Sequence, residues 1–324
     1  MQNNAENRYM KITVLDKATL GEDIDLSPIE RIAPPDVYDI TPPDEVVSRL
    51  SDSDVCVMNK VKLTADILSK LDRLSLICVA ATGYDNVDTE YCKAHGIALC
   101  NVPGYSSESV SQLTLAMVLS ASVNLRAYRE SVASGRYTEG NVQNILTPVY
   151  HELCGKTWGI VGYGGIGRRV ADVARALGCK IKVCKRTPVD GVDCVSLEEL
   201  ARTSDIISLH VPLNASTEKM INGDIISLMK DGVILVNVAR GKVTDEQALA
   251  DAVLSGKIGF LGCDVYSTEP MPSDHPFYPI KDMQNVCLTP HMAWGAYEAR
   301  NRCIEEIAKN IESFAIGEKR NRIV

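Results

Sequence analysis

The chain lacks the features that mark membrane, secreted and nucleic-acid-binding proteins. None of its apolar runs approaches the roughly 18–20 residues needed to span a bilayer. The N-terminal stretch MQNNAENRYM has neither the charged start nor the apolar core of a signal peptide. The formal net charge of −8 at pH 7 would repel a phosphate backbone. We therefore expect a cytoplasmic protein with no membrane partner and no nucleic-acid partner.

Cysteine is plentiful, but its usual structural patterns are absent. The eleven cysteines include no Cys-x-x-Cys pair, and Cys78, Cys100, Cys184 and Cys263 each lie in an apolar run. An odd number of scattered cysteines is typical of reduced thiols that pack as small apolar side chains. The histidines and carboxylates also lack the spacing of metal ligands. We expect neither a disulfide framework nor a metal site.

The 324 residues fit two domains better than one. Short β-rich runs alternate with helical patterns on both sides of a break at Pro103-Gly104, and this alternation predicts parallel βαβ units. The predicted strands are Lys11–Asp16, Asp54–Met58, Leu74–Ala80, Ile97–Cys100, Thr157–Val161, Ile181–Cys184, Asp205–Leu209, Val233–Val238 and Ile258–Cys263. The predicted helices include Asp44–Leu50, Thr64–Leu71 with Thr64 as N-cap, Asp88–His95, Ser109–Leu125, an apolar stretch Val118–Val132 that needs burial, and Ala293–Ala315.

A glycine-rich turn carries the first chemical signal. The turn has the pattern G-x-G-x-x-G, follows the apolar strand TWGIV and opens an amphipathic helix, which is the context that this pattern requires. The first glycine permits a tight turn, the second admits a pyrophosphate, and the third lets helix and strand pack closely. Free N–H groups at the helix start then favour phosphate. The predicted dinucleotide-binding residues are Gly162, Tyr163, Gly164, Gly165, Ile166 and Gly167.

The residues after the second strand of this unit bear on which nucleotide binds. An NAD site usually places Asp or Glu there to accept hydrogen bonds from the ribose hydroxyls. This chain instead has Lys185, Arg186 and Thr187, with no acid before Asp190. Two cations in that position suit a 2′-phosphate, so we expect NADP(H) to be favoured over NAD(H).

Five blocks of sequence resemble the D-isomer-specific 2-hydroxyacid dehydrogenases along nearly the whole chain. Together with the glycine-rich turn, their order and spacing are highly specific. The blocks are ATGYDNVD at Ala81–Asp88, HVPLNASTEKMIN at His210–Asn222, VNVARGKVTDE at Val236–Glu246, DVYSTEP at Asp264–Pro270 and LTPHMAW at Leu288–Trp294.

The resemblance implies an α/β fold of two domains and a homodimer. A Rossmann-type NAD(P)-binding domain, residues 104–290, would be inserted into a flavodoxin-like substrate domain, residues 1–103 and 291–324. The dimer would form through the cofactor domain.

By the same resemblance, Arg240, Glu269 and His291 match the catalytic residues of the family. Reducing a 2-keto acid also needs such a trio: a cation for the substrate oxygens, a proton donor for the developing alkoxide, and a partner that orients the donor. Arg240 has the forked guanidinium that suits a carboxylate and its adjacent carbonyl. His291 would act as acid in reduction and base in oxidation, and Glu269 would hold its imidazole and favour the protonated form.

The resemblance assigns the remaining contacts as well. The backbone N–H groups of Thr82 and Gly83 would hold the substrate carboxylate beside Arg240 and His291, because an uncharged loop lets amides crowd an anion. Asp264 would hold the nicotinamide carboxamide. The cofactor groove would also include His210, Val211, Pro212, Thr217, Val238, Ala239 and His291. The histidines His95, His151 and His275 match no motif and are interpreted as structural or surface residues.

Trp294 and the following Glu298-Ala299-Arg300 resemble the hydroxypyruvate reductase and glycerate dehydrogenase branch of the family. We therefore expect hydroxypyruvate and D-glycerate as the substrate pair, with glyoxylate as a second substrate. One alternative is another D-2-hydroxy acid, such as D-lactate or phenyllactate. A different class of function, a non-catalytic dinucleotide-sensing protein of the corepressor type, is disfavoured because Arg240, Glu269 and His291 are all present.

Overall fold

The computed structural model describes residues 10–140 and 142–324 of the chain. Residues 1–9, on which the expectation of no signal peptide depends, lie outside the described residues. The chain divides into two compact units: the first runs to Ser106 and resumes at Gly295–Val324, and the second is Ser107–Trp294. The predicted boundaries lie within a few residues of these positions. The predicted boundary placed His291 in the first unit, but in the structure it belongs to the second.

The first unit is built on a parallel sheet. Its strands are β1 (Ile12–Val14), β2 (Asp36–Val37), β3 (Val55–Met58), β4 (Leu76–Val79) and β5 (Ala98–Cys100). Its helices before Ser106 are α1 (Ser27–Glu30), α2 (Val46–Leu50), α3 (Ala65–Leu68) and α4 (Thr89–His95). The five strands are all parallel and lie in the order β2-β1-β3-β4-β5. This is the strand order of flavodoxin-like folds, as predicted.

Local sequence signals explain where the helices of the first unit begin and end. The side chain of Thr64 accepts a hydrogen bond from Ile67 N, which confirms it as the N-cap of α3. Asp88 caps α4 in the same way through Tyr91 N, and Gly96 ends that helix in the left-handed conformation. The helix after Thr64 stops at Leu68, three residues earlier than predicted. Within the predicted helix at Asp44–Leu50, the first turn is a 3₁₀ helix, Pro43–Glu45.

The second unit begins with helices and continues as an alternating α/β sheet. Its helices are α5 (Ser107–Ser122), α6 (Leu125–Ala133), α7 (Arg136–Glu139), α8 (Gly165–Ala176), α9 (Leu197–Thr203), α10 (Gly223–Leu228) and α11 (Glu246–Leu254). Its strands are β6 (Thr157–Val161), β7 (Lys180–Cys184), β8 (Ile206–Leu209), β9 (Val233–Asn237), β10 (Ile258–Cys263) and β11 (Val286–Leu288). The last helix of the chain, α12 (Tyr297–Ala315), belongs to the first unit.

The order of the second sheet places a ligand site. Its six parallel strands lie in the order β11-β10-β9-β8-β6-β7, so the chain runs outward in one direction from β6 to β7 and in the other from β8 onward. Ligands of such sheets bind outside the carboxyl ends of the strands where this direction reverses. Here those ends are Val161 of β6, followed by Gly162, and Leu209 of β8, followed by His210. This doubly wound sheet agrees with the predicted Rossmann-type domain.

The helix predicted across Val118–Val132 is wrong, because the chain turns between α5 and α6. Asn124 has a φ of 50°, a left-handed conformation that asparagine tolerates better than most residues. Its side chain donates to the carbonyl of Val149. The expected burial of this stretch is met only in part within the unit: Val118 is buried, whereas Leu125 and Val132 are 56% and 60% exposed.

The other differences from prediction concern two short strands and the start of the last helix. Strands β2 and β11, of two and three residues, were not predicted. Helix α12 begins at Tyr297 and not at Ala293, because the backbone of Ala296 is extended, with a ψ of 142°. Among the described residues, every helix is too short or too polar to cross a bilayer.

Candidate active site

The glycine-rich turn of the second unit lies directly after β6. Gly162 has a φ of +94°, and a Cβ there would lie 2.5 Å from the carbonyl oxygen of His210. A Cβ on Gly167 would lie 2.1 Å from the carbonyl oxygen of Gly162. Both positions therefore need glycine, because the turn packs against the loop after β8 and the helix α8 packs against the turn.

Gly164 differs from its neighbours because it faces open space. No atom lies within 4 Å of a Cβ built on it, and it is the N-cap of the 12-residue helix α8. The N–H groups of the first helical turn have no partner within the helix, so they attract an anion. Open space in front of a helix N-terminus fits the pyrophosphate of a dinucleotide. The ring of Tyr163 is buried, so this residue can contribute backbone there but not its side chain.

The end of β7 carries positive charge. Lys185 is half-buried, and Arg186 and Thr187 are exposed. Neither cation forms an ion pair within residues 10–140 and 142–324. The chain returns alongside β7 at Cys194, which pairs with Val183.

The loop after β8 is fixed by its own hydrogen bonds. Ser208 Oγ lies 2.9 Å from both Trp158 Nε1 and His210 Nε2. Burial lowers the pKa of His210 to about 3, so its ring is neutral at physiological pH. Thr217 Oγ1 donates to the carbonyl of Pro212 and accepts from Asn214 N, so its hydroxyl holds the turn that was predicted to line the cofactor groove.

The loop that carries Arg240 follows β9 and is held by the side chain of Asn237, which was not among the predicted site residues. Asn237 is fully buried; its Oδ1 accepts from Ala239 N and its Nδ2 donates to the carbonyl of Arg240, both at 3.0 Å. Arg240 Nη1 donates to the carbonyl of Ala239 at 2.8 Å. Asn237 stands inside a motif block, and its place at the end of a predicted strand was the signal available.

Glu269 and His291 form the central hydrogen bond of the site. Glu269 Oε2 lies 2.6 Å from His291 Nδ1, and Glu269 Oε1 accepts from Tyr266 N at 3.0 Å. Their side chains are 31% and 22% exposed, so the pair is reachable from solvent. Because Nδ1 donates to the carboxylate, Nε2 is the ring nitrogen left to exchange a proton with another molecule.

Asp264 holds the loop that carries His291. Its Oδ1 accepts from Thr289 Oγ1 and from Met292 N, and its Oδ2 accepts from Ala293 N. Burial raises the pKa of the Asp264 carboxyl, and these hydrogen bonds oppose the shift. The predicted contact of Asp264 with a nicotinamide carboxamide stays a prediction; among the described residues, Oδ2 accepts only from Ala293 N and has a lone pair to offer.

His291 itself has a backbone conformation that is costly for its type. Its φ is 52°, in the left-handed region that disfavours residues other than glycine, asparagine and aspartate. Such conformations persist where the surroundings impose them and are common at functional sites. Here the Asp264 carboxylate binds the N–H groups of the two residues that follow.

The Arg240 loop and the Glu269 loop touch at Gly241. A Cβ on Gly241 would lie 2.0 Å from the carbonyl carbon of Tyr266 and 2.2 Å from Ser267 N. The peptide between Tyr266 and Ser267 therefore lies flat against the residue that follows Arg240. In this way the second unit brings the three predicted catalytic residues onto adjoining loops.

Thr82 and Gly83 lie in the first unit, in the loop after β4. Thr82 Oγ1 donates to the carbonyl of Val102 at 2.9 Å, and its carbonyl accepts from Asn101 Nδ2 at 2.7 Å. Within the part of the chain that the structure describes, the backbone N–H groups of Thr82 and Gly83 have no acceptor. Two adjacent free amides suit an anion, and their binding of a substrate carboxylate stays a prediction.

The three histidines without a motif have different surroundings. His95 and His151 are exposed. His275 is 4% exposed and lies 3.0 Å from the buried carboxylate of Glu246. Of the two alternatives given for it, structural or surface, the structure therefore supports the structural one.

Comparison with known proteins identifies relatives of this chain. Residues 115–293 match the family model described as "D-isomer specific 2-hydroxyacid dehydrogenase, NAD binding domain". The chain is 36% identical over 317 residues to a protein named hydroxypyruvate reductase from Blautia hydrogenotrophica, a match that covers 95% of this chain and 98% of the relative.

Two solved structures share the fold over nearly the whole chain. An acyclic imino acid reductase in complex with NADPH and D-Arg has a TM-score of 0.87 and 32% identity, with 97% of this chain and 100% of the other covered. D-lactate dehydrogenase from Aquifex aeolicus, complexed with NAD and lactic acid, has a TM-score of 0.83 and 32% identity, with coverages of 95% and 96%.

Substituting the glycines of the turn separates nucleotide binding from folding. In Gly164→Ala we expect an unchanged thermal unfolding midpoint, because its φ of −85° suits alanine. Its Kd for NADH and NADPH should rise at least about tenfold, because the methyl group takes space offered to the pyrophosphate. In Gly167→Ala the unfolding midpoint itself should fall. Thermal unfolding and nucleotide fluorescence titrations measure both, and wild-type affinity in Gly164→Ala would contradict this description of the site.

Proposed function

Since the chain belongs to the D-isomer-specific 2-hydroxyacid dehydrogenases, NAD-dependent oxidoreductases that act on CH–OH groups, we propose that it interconverts hydroxypyruvate and D-glycerate. Glyoxylate is the second substrate of the proposal. The observation that carries the catalytic part is the 2.6 Å hydrogen bond between Glu269 and His291, beside the Arg240 loop. A carboxylate that orients an imidazole, next to a guanidinium, is what reduction of a keto acid requires.

In this proposal each of the three residues has one task. The guanidinium of Arg240 binds the carboxylate and carbonyl oxygens of the substrate and stabilises the negative charge that develops on the carbonyl oxygen. His291 Nε2 donates a proton to that oxygen in reduction and accepts it in oxidation. Glu269 holds the proton of Nδ1 and orients the imidazole. The bound nicotinamide supplies or accepts the hydride.

Two observations bear on the choice of hydroxypyruvate. The relative that is 36% identical over 95% of the chain is named hydroxypyruvate reductase. The branch resemblance at Trp294 and Arg300 points the same way. Arg300 itself is held by Asp23, with N···O distances of 2.5 and 2.9 Å, and by the carbonyls of Leu20 and Gly295. Arg300 therefore supports the proposal as a mark of the branch and not as a substrate contact.

A panel of keto acids tests the reaction. With NADPH and NADH, we expect kcat/KM to be highest for hydroxypyruvate, lower for glyoxylate, and lowest for pyruvate and phenylpyruvate. His291→Gln should lower kcat by roughly 10²- to 10⁴-fold, the usual contribution of general acid catalysis. His151→Gln, at an exposed histidine of the same unit, serves as the control and should keep wild-type activity. Tight nucleotide binding without turnover of any keto acid would support the corepressor type of function instead.

We further propose a preference for NADP(H). The support is local: no acid follows β7 in the sequence before Asp190, and Lys185 and Arg186 have no ion-pair partner among the described residues. The relatives differ in the nucleotide with which they were solved: the acyclic imino acid reductase with NADPH, and the D-lactate dehydrogenase with NAD. The preference of this chain therefore depends on its own residues at this strand end.

Removing the two cations tests this preference. We expect the wild-type kcat/KM to be higher with NADPH than with NADH. In the double variant Lys185→Ala/Arg186→Ala the value with NADPH should fall roughly tenfold to a hundredfold, because charged hydrogen bonds to a phosphate are lost. The value with NADH should stay nearly constant. Lys180→Ala, at an exposed lysine of β7, is the control. A wild-type preference for NADH would refute the proposal.

We also propose that the chain forms a homodimer in the cytoplasm. Exposed apolar side chains cluster in the sequence from the end of α5 to residue 150: Leu119, Val123, Leu125, Val132, Val142, Leu146, Val149 and Tyr150. So many exposed apolar residues in one segment favour a protein interface. All eleven cysteines are free thiols, which suits a reducing compartment.

The mass in solution tests the dimer. For the wild type, light scattering after gel filtration should give about twice the 35.3 kDa of the chain. Leu125→Glu/Val132→Glu should shift the mass to that of a monomer, because charges replace apolar contacts. Leu254→Glu alters a side chain that is 63% exposed on α11 and should leave the mass unchanged. A monomeric wild type at micromolar concentration would rule the dimer out.

A further inference from the structure

A buried carboxylate–histidine pair, Glu246 and His275, lies next to the Glu269 loop. It takes no part in the reaction proposed above. Glu246, at the start of α11, and His275 have side chains that are 7% and 3% exposed, and Glu246 Oε2 lies 3.0 Å from His275 Nε2. The rings of Tyr266 and Phe277 pack edge-on against His275 with centroid distances of 5.7 and 5.1 Å. The pair is therefore largely shielded from solvent.

The hydrogen bonds of the pair define where its protons are. His275 Nδ1 accepts from Phe277 N at 3.1 Å, so this nitrogen carries no hydrogen and Nε2 is the donor to Glu246. The other oxygen of Glu246, Oε1, accepts from Ser267 N at 2.8 Å. Glu246 thus accepts a hydrogen bond at each oxygen, which a carboxylate can do and an amide in its place could not.

The backbone held by Glu246 is the segment that orients Glu269. Ser267 N belongs to the peptide that lies against Gly241, so this peptide is held on one side by the Glu246 carboxylate and on the other by backbone contact. The neighbouring residue, Tyr266, donates its N–H to Glu269 Oε1 at 3.0 Å and its hydroxyl to the carbonyl of Thr289 at 2.9 Å. Both acceptors belong to residues that are hydrogen-bonded to His291.

We propose that Glu246 and His275 form a positioning pair for the acid–base machinery. By fixing Ser267 N, the pair sets the place of the Glu269 carboxylate, and Glu269 in turn aims His291. Neither member of the pair contacts the reacting atoms, so neither is a catalytic residue. The inference rests on the proposed roles of Glu269 and His291.

A charge at this position argues for a geometric role. A buried carboxylate is costly to desolvate, and an apolar side chain of similar volume would often stabilise the fold as well or better. Two donors eight residues apart in the loop after β10, His275 Nε2 and Ser267 N, converge on Glu246, one at each carboxylate oxygen. Small displacements of a catalytic group cost rate steeply, so precision at Glu269 has kinetic value.

The first test is a double-mutant cycle. Glu246→Gln should lower kcat for hydroxypyruvate by roughly 10- to 100-fold, as expected for a displacement of about 1 Å at the acid–base pair. KM and the Kd for NADPH should stay within about twofold. In a Glu269→Gln background the same substitution should have almost no further effect, because the group that it positions is already lost. Asp251→Asn, at an exposed acid on α11, is the matched control and should keep wild-type kcat.

A second pair of variants keeps the test decisive where Glu246→Gln fails to fold. His275→Gln retains a nitrogen donor toward Glu246, whereas His275→Leu removes it. Their thermal unfolding midpoints should be similar, and kcat should be largely kept in His275→Gln and reduced in His275→Leu. Effects on kcat that follow the loss of stability in every variant, or that add fully to Glu269→Gln, would overturn the positioning role while leaving the proposed reaction intact.

A spectroscopic measurement makes the two failures distinguishable. The Nδ1 proton of His291, bound to Glu269, should give a downfield proton NMR signal that disappears in Glu269→Gln. We expect this signal to shift or broaden in Glu246→Gln and to be unchanged in Asp251→Asn. An unchanged signal in Glu246→Gln would overturn the positioning role even if no keto acid is turned over, the outcome that refutes the proposed function.

Discussion

The hydrogen bonds of the Asp264 carboxylate are the interaction on which the rest of the site depends. Asp264 follows β10, is 1% exposed, and binds Thr289 Oγ1 together with the N–H groups of Met292 and Ala293. These bonds hold His291 at a φ of 52°, a conformation that a free loop would leave. Without this grip the imidazole would have no defined direction, and its bond to Glu269 would compete with other rotamers and with water. The strained backbone of His291 is therefore maintained by the buried carboxylate of Asp264.

The loops of the second unit are coupled by close backbone contacts as well as by side chains. Gly162 lies against the carbonyl of His210, and Gly241 lies against the Tyr266–Ser267 peptide. At both places a methyl group would collide with backbone, which cannot move aside as a side chain can. The nucleotide turn is thus coupled to the loop after β8, and Arg240 to the Glu269 loop. Groups from β6, β8, β9 and β10 can act together because the strands are parallel and their carboxyl ends share one edge of the sheet.

Positive charge is concentrated locally in a protein whose net charge is negative. The chain carries a net charge of −8, yet Arg240, Lys185 and Arg186 offer positive charge at the binding sites proposed for an anionic substrate and a phosphate. Long-range attraction of anions by the whole molecule is weak under these conditions, so recognition depends on short contacts. The amides of Thr82 and Gly83 in the first unit, which have no acceptor in the described part of the chain, follow the same principle, since they offer partial positive charge without a charged side chain.

Much of this protein could be predicted from its sequence, because the signals involved are local. Strand runs, the Thr64 cap, the glycine turn after β6 and the motif blocks around Arg240, Glu269 and His291 depend on residues close together in the chain. Tertiary structure decided the rest. The turn at Asn124, the anchoring of the His291 loop by Asp264, and the burial of Glu246 with His275 all depend on partners that are distant in the chain. The sequence shows which hydrogen-bonding groups each residue offers. The partner of each group is determined by the folded sheet, which brings distant loops to one edge.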